Sequence, residues 1–263
     1  MALTRVQSIF SVVFAPRTTI KIGSVVALLL LWQLSSARGW ISPVFFPSPR
    51  EVWLEASGLI QDGEMWRAVV ASSRRVFSGF GLAALVSIPL GVVMAVWWPV
   101  KSALDPFVSL LRPLPSITWI PLTILWLGIG EGQKTAIVFM GSWIYILLYT
   151  YESTRRVDSM LIRAARNLGA NSFQIMRVVL MAALPGIISG LKVTLAIAWS
   201  CVITAEMIAA QVGLGALIWR AKDGANLGLV LVGMLGISIT VLVADFLAER
   251  LEHMILPWEY LRR

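Results

Sequence analysis

Among 263 residues there is one cysteine, Cys201, and one histidine, His253. A lone thiol excludes an intrachain disulfide. So few ligands of that kind give a metal site no basis. With the sole histidine near the C-terminus, no Ser-His-Asp arrangement can form, and an intramembrane enzyme has little support. Charge is scarce as well. Asp, Glu, Lys and Arg make up 14% of the chain, against about 25% in a soluble domain. The net charge is +8, but the basic residues are spread along the connections and form no arm for nucleic acid. A phosphate-binding loop is missing too. Gly128-Ile129-Gly130-Glu131-Gly132-Gln133-Lys134-Thr135 approaches that pattern. It places Gln133 where the motif requires a glycine before its lysine, and no strand precedes it. It reads as a tight turn between two spans, and the chain carries no visible means of hydrolysing ATP. No repeat relates its two halves, which weighs against a carrier built by internal duplication.

What is abundant is oil. Hydrophobic residues make up 58% of the chain and the mean hydropathy is +0.81. A spanning helix takes about 20 apolar residues. That scale predicts an all-α membrane protein with about six spans, near Ile20–Ser36, Val76–Trp98, Leu104–Leu127, Ala136–Thr150, Leu184–Ala209 and Leu227–Leu247. The first reads as a retained span and not a cleaved signal peptide. The whole chain, 1–263, reads as one transmembrane unit with its core at about 68–250. With the N-terminus inside, Arg5, Arg17, Lys21, Lys101, Arg155, Arg156, Arg163, Arg166, Arg177, Arg250, Arg262 and Arg263 fall on the cytoplasmic side, as the positive-inside rule favours. Both termini are then cytoplasmic. Arg38, Arg50, Arg67, Arg74, Arg75, Lys134, Arg220 and Lys222 fall outside, where Glu51, Glu55, Asp62, Glu64 and Glu131 make that side nearly neutral. Between the first two spans, Ser42-Pro43 and Phe46-Pro47-Ser48-Pro49 disfavour helix. A short surface helix over 51–59 follows them, with Trp53 at the interface.

Candidates for a translocation path or gate are few. The third span carries Pro106, Pro113, Pro115 and Pro121, so it is expected to kink near Pro115 and Thr118. Carbonyls freed inside a membrane need neighbouring helices or a wet cavity. The kink serves either the path or packing alone. Glu206, expected near the outer end of span five, and Lys192, near its inner end, are costly at depth. Glu206 reads either as a gating or pairing group or as a hydrated carboxylate at the interface. Gly213-Leu214-Gly215 allows a sharp re-entry of the chain. An ion- or proton-coupled carrier acting alone is the alternative reading, and it has only Glu206 and Lys192 as relay groups.

The most informative segment runs from Val157 to Ser172. Leu161, Ala164, Ala165 and Leu168 recur at helical spacing, with Arg163 and Arg166 among them. Gly169 stops the helix, and Asn171 or Ser172 can cap a second short one. A helix–Gly–helix elbow of this kind, outside the bilayer, suits contact with another protein.

This elbow resembles the EAA loop of membrane subunits in ATP-binding-cassette importers, whose pattern is Glu-Ala-Ala, three residues, then Gly. Arg163 stands in place of the Glu, Ala164 and Ala165 match the alanines, and Gly169 matches the glycine. Ala183-Leu184-Pro185 matches the opening of the next span. Phe46-Pro47-Ser48-Pro49-Arg50-Glu51-Val52, Ser72 through Phe80, Pro115 through Pro121, Leu125 through Gly130, Ala205-Glu206-Met207 and Gly213-Leu214-Gly215 are similar to the nitrate/sulfonate/taurine/bicarbonate branch. The resemblance implies the type I importer permease fold, with a cytoplasmic coupling helix within about 157–182. It also implies location in the bacterial inner membrane. The implied partners are a second permease copy, two cytoplasmic ATPase subunits that hold ATP and Mg, and a periplasmic or lipid-anchored solute-binding protein. The implied coupling surface is Arg163, Ala164, Ala165, Arg166, Asn167, Gly169 and Ser172, the arginines meeting acidic or backbone acceptors. The implied cargo is a small anion, an aliphatic sulfonate such as taurine first and nitrate or bicarbonate next.

Overall fold

The computed structural model describes residues 16–40 and 46–260. The Ser42-Pro43 segment and the terminal residues Arg5, Arg262 and Arg263 lie outside them. The described residues form helices α1 (Pro16–Ala37), α2 (Pro49–Gln61), α3 (Glu64–Val96), α4 (Trp98–Leu111), α5 (Ile120–Leu127), α6 (Glu131–Arg155), α7 (Ser159–Asn167), α8 (Ser172–Ala209), α9 (Leu214–Asp223), α10 (Leu227–Ile255) and α11 (Pro257–Tyr260). A 3-10 turn, Ser116–Trp119, leads into α5. Three single helices are long and apolar enough to cross a membrane: Glu64–Val96, Ser172–Ile208 and Leu227–Ile255. The six expected spans fall on α1, α3, the α4–α5 pair, α6, α8 and α10; by length and composition α3, α8 and α10 qualify among the described residues, the bent pair would make a fourth, and α1 is apolar over the shorter stretch Gly23–Ala37.

The short surface helix is α2. Ser48 begins it with a capping box: its Oγ accepts from the Glu51 N–H at 3.3 Å, and the Glu51 carboxylate accepts from the Ser48 N–H at 2.7 Å. Pro49 fits the first turn, where a missing N–H costs nothing. Trp53 is exposed on it.

α6 sits between α3 and α8 and makes the most extensive contacts in the bundle with both. Close approach needs small residues. A Cβ on Gly79 would lie 2.6 Å from the Thr135 carbonyl oxygen, and one on Gly91 would lie 2.8 Å from that of Leu147. Gly79→Val is therefore expected to push α3 off α6 and destabilise the bundle by about 1–3 kcal/mol, as overpacking does. A lower thermal midpoint of the detergent-solubilised protein would show it. The core between these helices joins Val76, Ile137, Val138, Ala198, Trp199, Val202 and Ala205. A second cluster, toward the elbow end, joins Met94, Val108, Ile144, Leu147 and Tyr151. Outward from α10 point Leu235, Ile239, Leu242, Val243 and Phe246, all exposed. In a membrane these meet lipid.

Three boundaries differ from the sequence reading. The third span is not one kinked helix; α4 and the Ser116–Leu127 segment meet at 94°. Pro113 and Pro115 cannot donate to a continuing helix, and each disfavours helical backbone in the residue before it. α6 starts at Glu131, well before Ala136, because the charged residues of its first turn are paired: Glu131 with the buried Arg75, and Lys134 with Glu131. Gly128, at φ 70°, and Gly130 make the turn alone, while Gln133 and Lys134 are already buried in the helix. Finally, the helix after Gly169 is not short. It runs unbroken through Pro185 for 38 residues. One proline removes a single helical hydrogen bond, and the apolar run on either side keeps the rest of the ladder intact.

Candidate functional site

The elbow is built by local rules. Asp158 caps α7, its Oδ1 accepting from the Met160 N–H at 2.8 Å. At the other end Ala170 N–H donates to the Ala165 carbonyl at 3.0 Å and Gly169 N–H to the Arg166 carbonyl at 2.9 Å. This pair of bonds is a Schellman closure, which needs a left-handed residue; Gly169 supplies it at φ 79°. Asn171, not Ser172, then caps α8, exchanging bonds of 2.8 and 2.9 Å with Gln174. Ser172 is the first residue of that helix. The turn is thus fixed by its own hydrogen bonds.

No residue of α7 is buried. Met160, Leu161, Leu168 and Phe173 are exposed apolar side chains, Leu168 to 87%. Ala164, Arg166 and Asn167 are exposed as well, and Ala165 is half-buried. The Arg163 guanidinium folds back on its own helix, donating to Ser159 Oγ at 2.9 Å. Elbow residues 163–172 therefore share one accessible corner whose apolar face is uncovered in the single chain.

At the far end of the bundle lies a charge cluster whose Arg75, Lys134 and Glu206 are buried and whose Glu131 is exposed. Arg75, on α3, donates through Nε and Nη2 to the two oxygens of Glu131, each at 2.7 Å. Its Nη1 donates to Glu206 Oε1 at 2.6 Å and to the Val212 carbonyl at 2.7 Å. Glu206, 1% exposed, also accepts from Ser72 Oγ at 2.8 Å and from the Gly215 N–H at 2.9 Å. Ser72 Oγ in turn accepts from the Leu214 N–H at 3.0 Å. Lys134 completes the set, donating to Glu131 at 3.1 Å. Two buried cations thus face one buried carboxylate, Glu206, and one exposed carboxylate, Glu131, and the charge balances.

The cluster ties α3, α6 and α8 to the re-entrant start of α9. Gly213 and Gly215 make the re-entry possible. Gly213 sits at φ 147°, and a Cβ there would fall 2.5 Å from the Glu206 carboxylate. A Cβ on Gly215 would meet the Ile203 carbonyl at 2.5 Å.

The four path candidates are dispersed. Glu206 is not a hydrated interfacial carboxylate but a buried partner of Arg75. Lys192 pairs with Glu252 at 2.6 Å, linking α8 to α10. Pro115 and Thr118 share the 3-10 turn of the broken span, where Thr118 Oγ1 donates to the Pro115 carbonyl at 2.7 Å. Sequence reasoning placed Arg75 in an outer loop and gave Arg112 no role. The helical spacing of small residues around Arg75 (Ser72, Gly79) is the signal that would have drawn it into α3.

The described residues thus form an all-helical bundle with a sharply bent helix pair, a chain reversal at Gly213 and an exposed elbow. The model of the "Binding-protein-dependent transport system inner membrane component" family matches residues 87–257. The chain is similar to the taurine transport system permease protein TauC of Escherichia coli K12. That identity is 32% over 248 residues, covering 92% of this chain and 90% of TauC. It is 28% identical over 248 residues to the bicarbonate transport system permease protein CmpB of Synechocystis sp., covering 89% of this chain and 87% of CmpB. In fold it is similar to a chain of the MetNI methionine ABC transporter solved in inward-facing conformations. The TM-score is 0.63 at 22% identity, covering 72% of this chain and 94% of that one.

The protein belongs to the family of binding-protein-dependent transport system inner membrane components. It is an ABC importer permease of the sulfonate/taurine/bicarbonate branch, with the type I importer fold.

Proposed function

We propose that this permease forms the path for a small anion, with an aliphatic sulfonate such as taurine first and nitrate or bicarbonate next. The elbow end faces the cytoplasm, and so do both termini. Two permease copies stand together on two ATPase subunits. ATP and Mg are held and hydrolysed on those partners. A solute-binding protein delivers the load from the opposite side.

The observation that carries this reading is the elbow: a rigid, doubly capped corner whose apolar residues are uncovered. Exposed Leu161, Leu168 and Phe173 suit a cleft on an ATPase, with Arg163, Arg166 and Asn167 meeting polar acceptors at its rim. Because α8 runs without interruption from Ser172 to Ala209, displacement of the elbow is transmitted along a single rod into the bundle. ATP binding favours one arrangement of the rods over the other and so drives the switch between inward-open and outward-open states. The similarity to TauC supports taurine as first choice.

Reconstitution tests this. The permease, its ATPase and its binding protein in proteoliposomes are expected to take up labelled taurine, nitrate or bicarbonate only with ATP. Uptake by the permease alone would refute the ATP-driven reading, and failure of all three anions would refute the cargo.

A further inference from the structure

An arginine that makes no side-chain hydrogen bond or ion pair among the described residues lies where the third span breaks. Arg112 caps the C-terminus of α4, immediately before Pro113. Its side chain makes no hydrogen bond or ion pair among the described residues. Yet it is not at the bundle's end. Val108, one turn earlier, packs with Ile144 and Leu147 of α6, so Arg112 stands beside the interior of that helix. Arg112 is exposed, and an arginine within a spanning segment ordinarily faces water or a partner.

Arg112 faces a cleft of about 620 Å³ that it shares with Tyr145, Tyr149, Ser153, Arg156 and Ser189. The volume falls in the range of small-molecule pockets, about 300–1,000 Å³. From Tyr145 to Arg156 the cleft runs along about 16 Å of α6, at 1.5 Å per residue. Glycines on α8 hold its walls together. A Cβ on Gly186 would meet Ser153 Oγ at 2.5 Å, and one on Gly190 would strike the Tyr149 ring. The hydroxyls of Tyr145, Tyr149, Ser153 and Ser189 have no partner among the described residues. The one carboxylate lining the cleft, Glu152, is 3.6 Å from Arg156. Arg112 therefore remains as an uncompensated cation surrounded by uncommitted hydroxyl donors.

We propose that this cleft is a transient oxoanion site on the elbow side of the path, in which Arg112 grips the cargo's oxygens and sets its charge selectivity. The guanidinium fork matches planar and tetrahedral oxygen groups, and the hydroxyls supply further donors. A single free arginine suits a conducting site, which must bind well enough to admit the ion and weakly enough to release it. The proposal rests on the anion-permease reading. Its shared chemistry, an oxygen-bearing anion, belongs to cargo and to lipid headgroups alike, and the test separates the two.

Butanedione modification of Arg112 is followed by mass spectrometry in the permease–ATPase complex, held in nanodiscs of phosphatidylcholine only. Taurine or nitrate at about twice its Kd is expected to slow modification about threefold, while choline leaves it unchanged. Equal rates with and without the anions overturn the proposal. So does protection seen without either anion in a parallel nanodisc containing phosphatidylglycerol and absent with the anions in phosphatidylcholine alone, which assigns the arginine to lipid. In a second arm, Arg112→Gln is expected to lower ATP-driven anion uptake about tenfold through loss of a charge-assisted contact. Complex assembly is expected to persist, and Arg112→Lys to recover part of the loss. If the unaltered complex carries the anions and Arg112→Gln carries them equally, the cleft assignment falls and the cargo reading stands. If the unaltered complex carries none, both fall. Should Arg112→Gln fail to assemble, the modification arm on the native complex still decides.

Discussion

Arg75→Met is expected to cost about 3–5 kcal/mol of stability, the range for removing one partner of a buried ion pair. The loss is large because one side chain serves three acceptors at once. Glu131, Glu206 and the Val212 carbonyl all take their bonds from its guanidinium. Without it Glu206 keeps only neutral donors, Ser72 and the Gly215 N–H, and a buried carboxylate is left uncompensated. The re-entrant start of α9 then loses its anchor, since Val212, Leu214 and Gly215 are all held through this cluster. Thermal unfolding in detergent measures the effect. The double variant Arg75→Met with Glu206→Leu is expected to be more stable than Arg75→Met alone, because it removes the stranded charge. Additive losses in the double-mutant cycle would show that the pair is not coupled.

Gly169→Pro is expected to abolish association with the ATPase while leaving insertion and the thermal midpoint of the permease nearly unchanged. The turn holds Gly169 at φ 79°, whereas proline is locked near −65° and carries no N–H. The bond from Gly169 N–H to the Arg166 carbonyl disappears, and the two capped helices no longer meet at the same angle. The bundle is spared because α7 contributes no buried residue. Ala165→Asp attacks the same surface differently, placing a carboxylate among the apolar contacts without disturbing the backbone. Co-purification of tagged permease with ATPase reads both. Wild-type recovery of the ATPase with either variant would mean that the elbow is not the docking surface.

What could be read from the chain alone was everything governed by local rules. Oil in lengths of about 20 residues marks spans, so the membrane class and the approximate span order were legible. The elbow was legible for the same reason: its apolar spacing, Gly169 and the Asn171 cap act within a few residues of one another. The short helix expected over 51–59 exists, but Ser48-Pro49, read from the chain as extended, turned out to begin it through the Ser48–Glu51 capping box. The turn at Gly213-Leu214-Gly215 was visible as a glycine pair: Gly213 supplies a left-handed φ of 147° and Gly215 the room beside the Ile203 carbonyl.

Only the tertiary structure decided where charge can be buried. Arg75 precedes a strongly apolar run and looks like a loop residue; it becomes a core residue because Glu131 and Glu206 arrive from positions 56 and 131 residues away. That compensation depends on the packing of three helices, and no local pattern encodes it. The same reason explains why α6 begins at Glu131 and why Glu206 is dry. The chain's prolines signalled a bend in the third span, but not its 94° angle nor that Arg112 would be left facing a cleft lined by Tyr145, Tyr149 and Ser189. Helix periodicity sets which residues share a face, and it is the close approach of faces at Gly186 and Gly190 that sets which faces share a cavity.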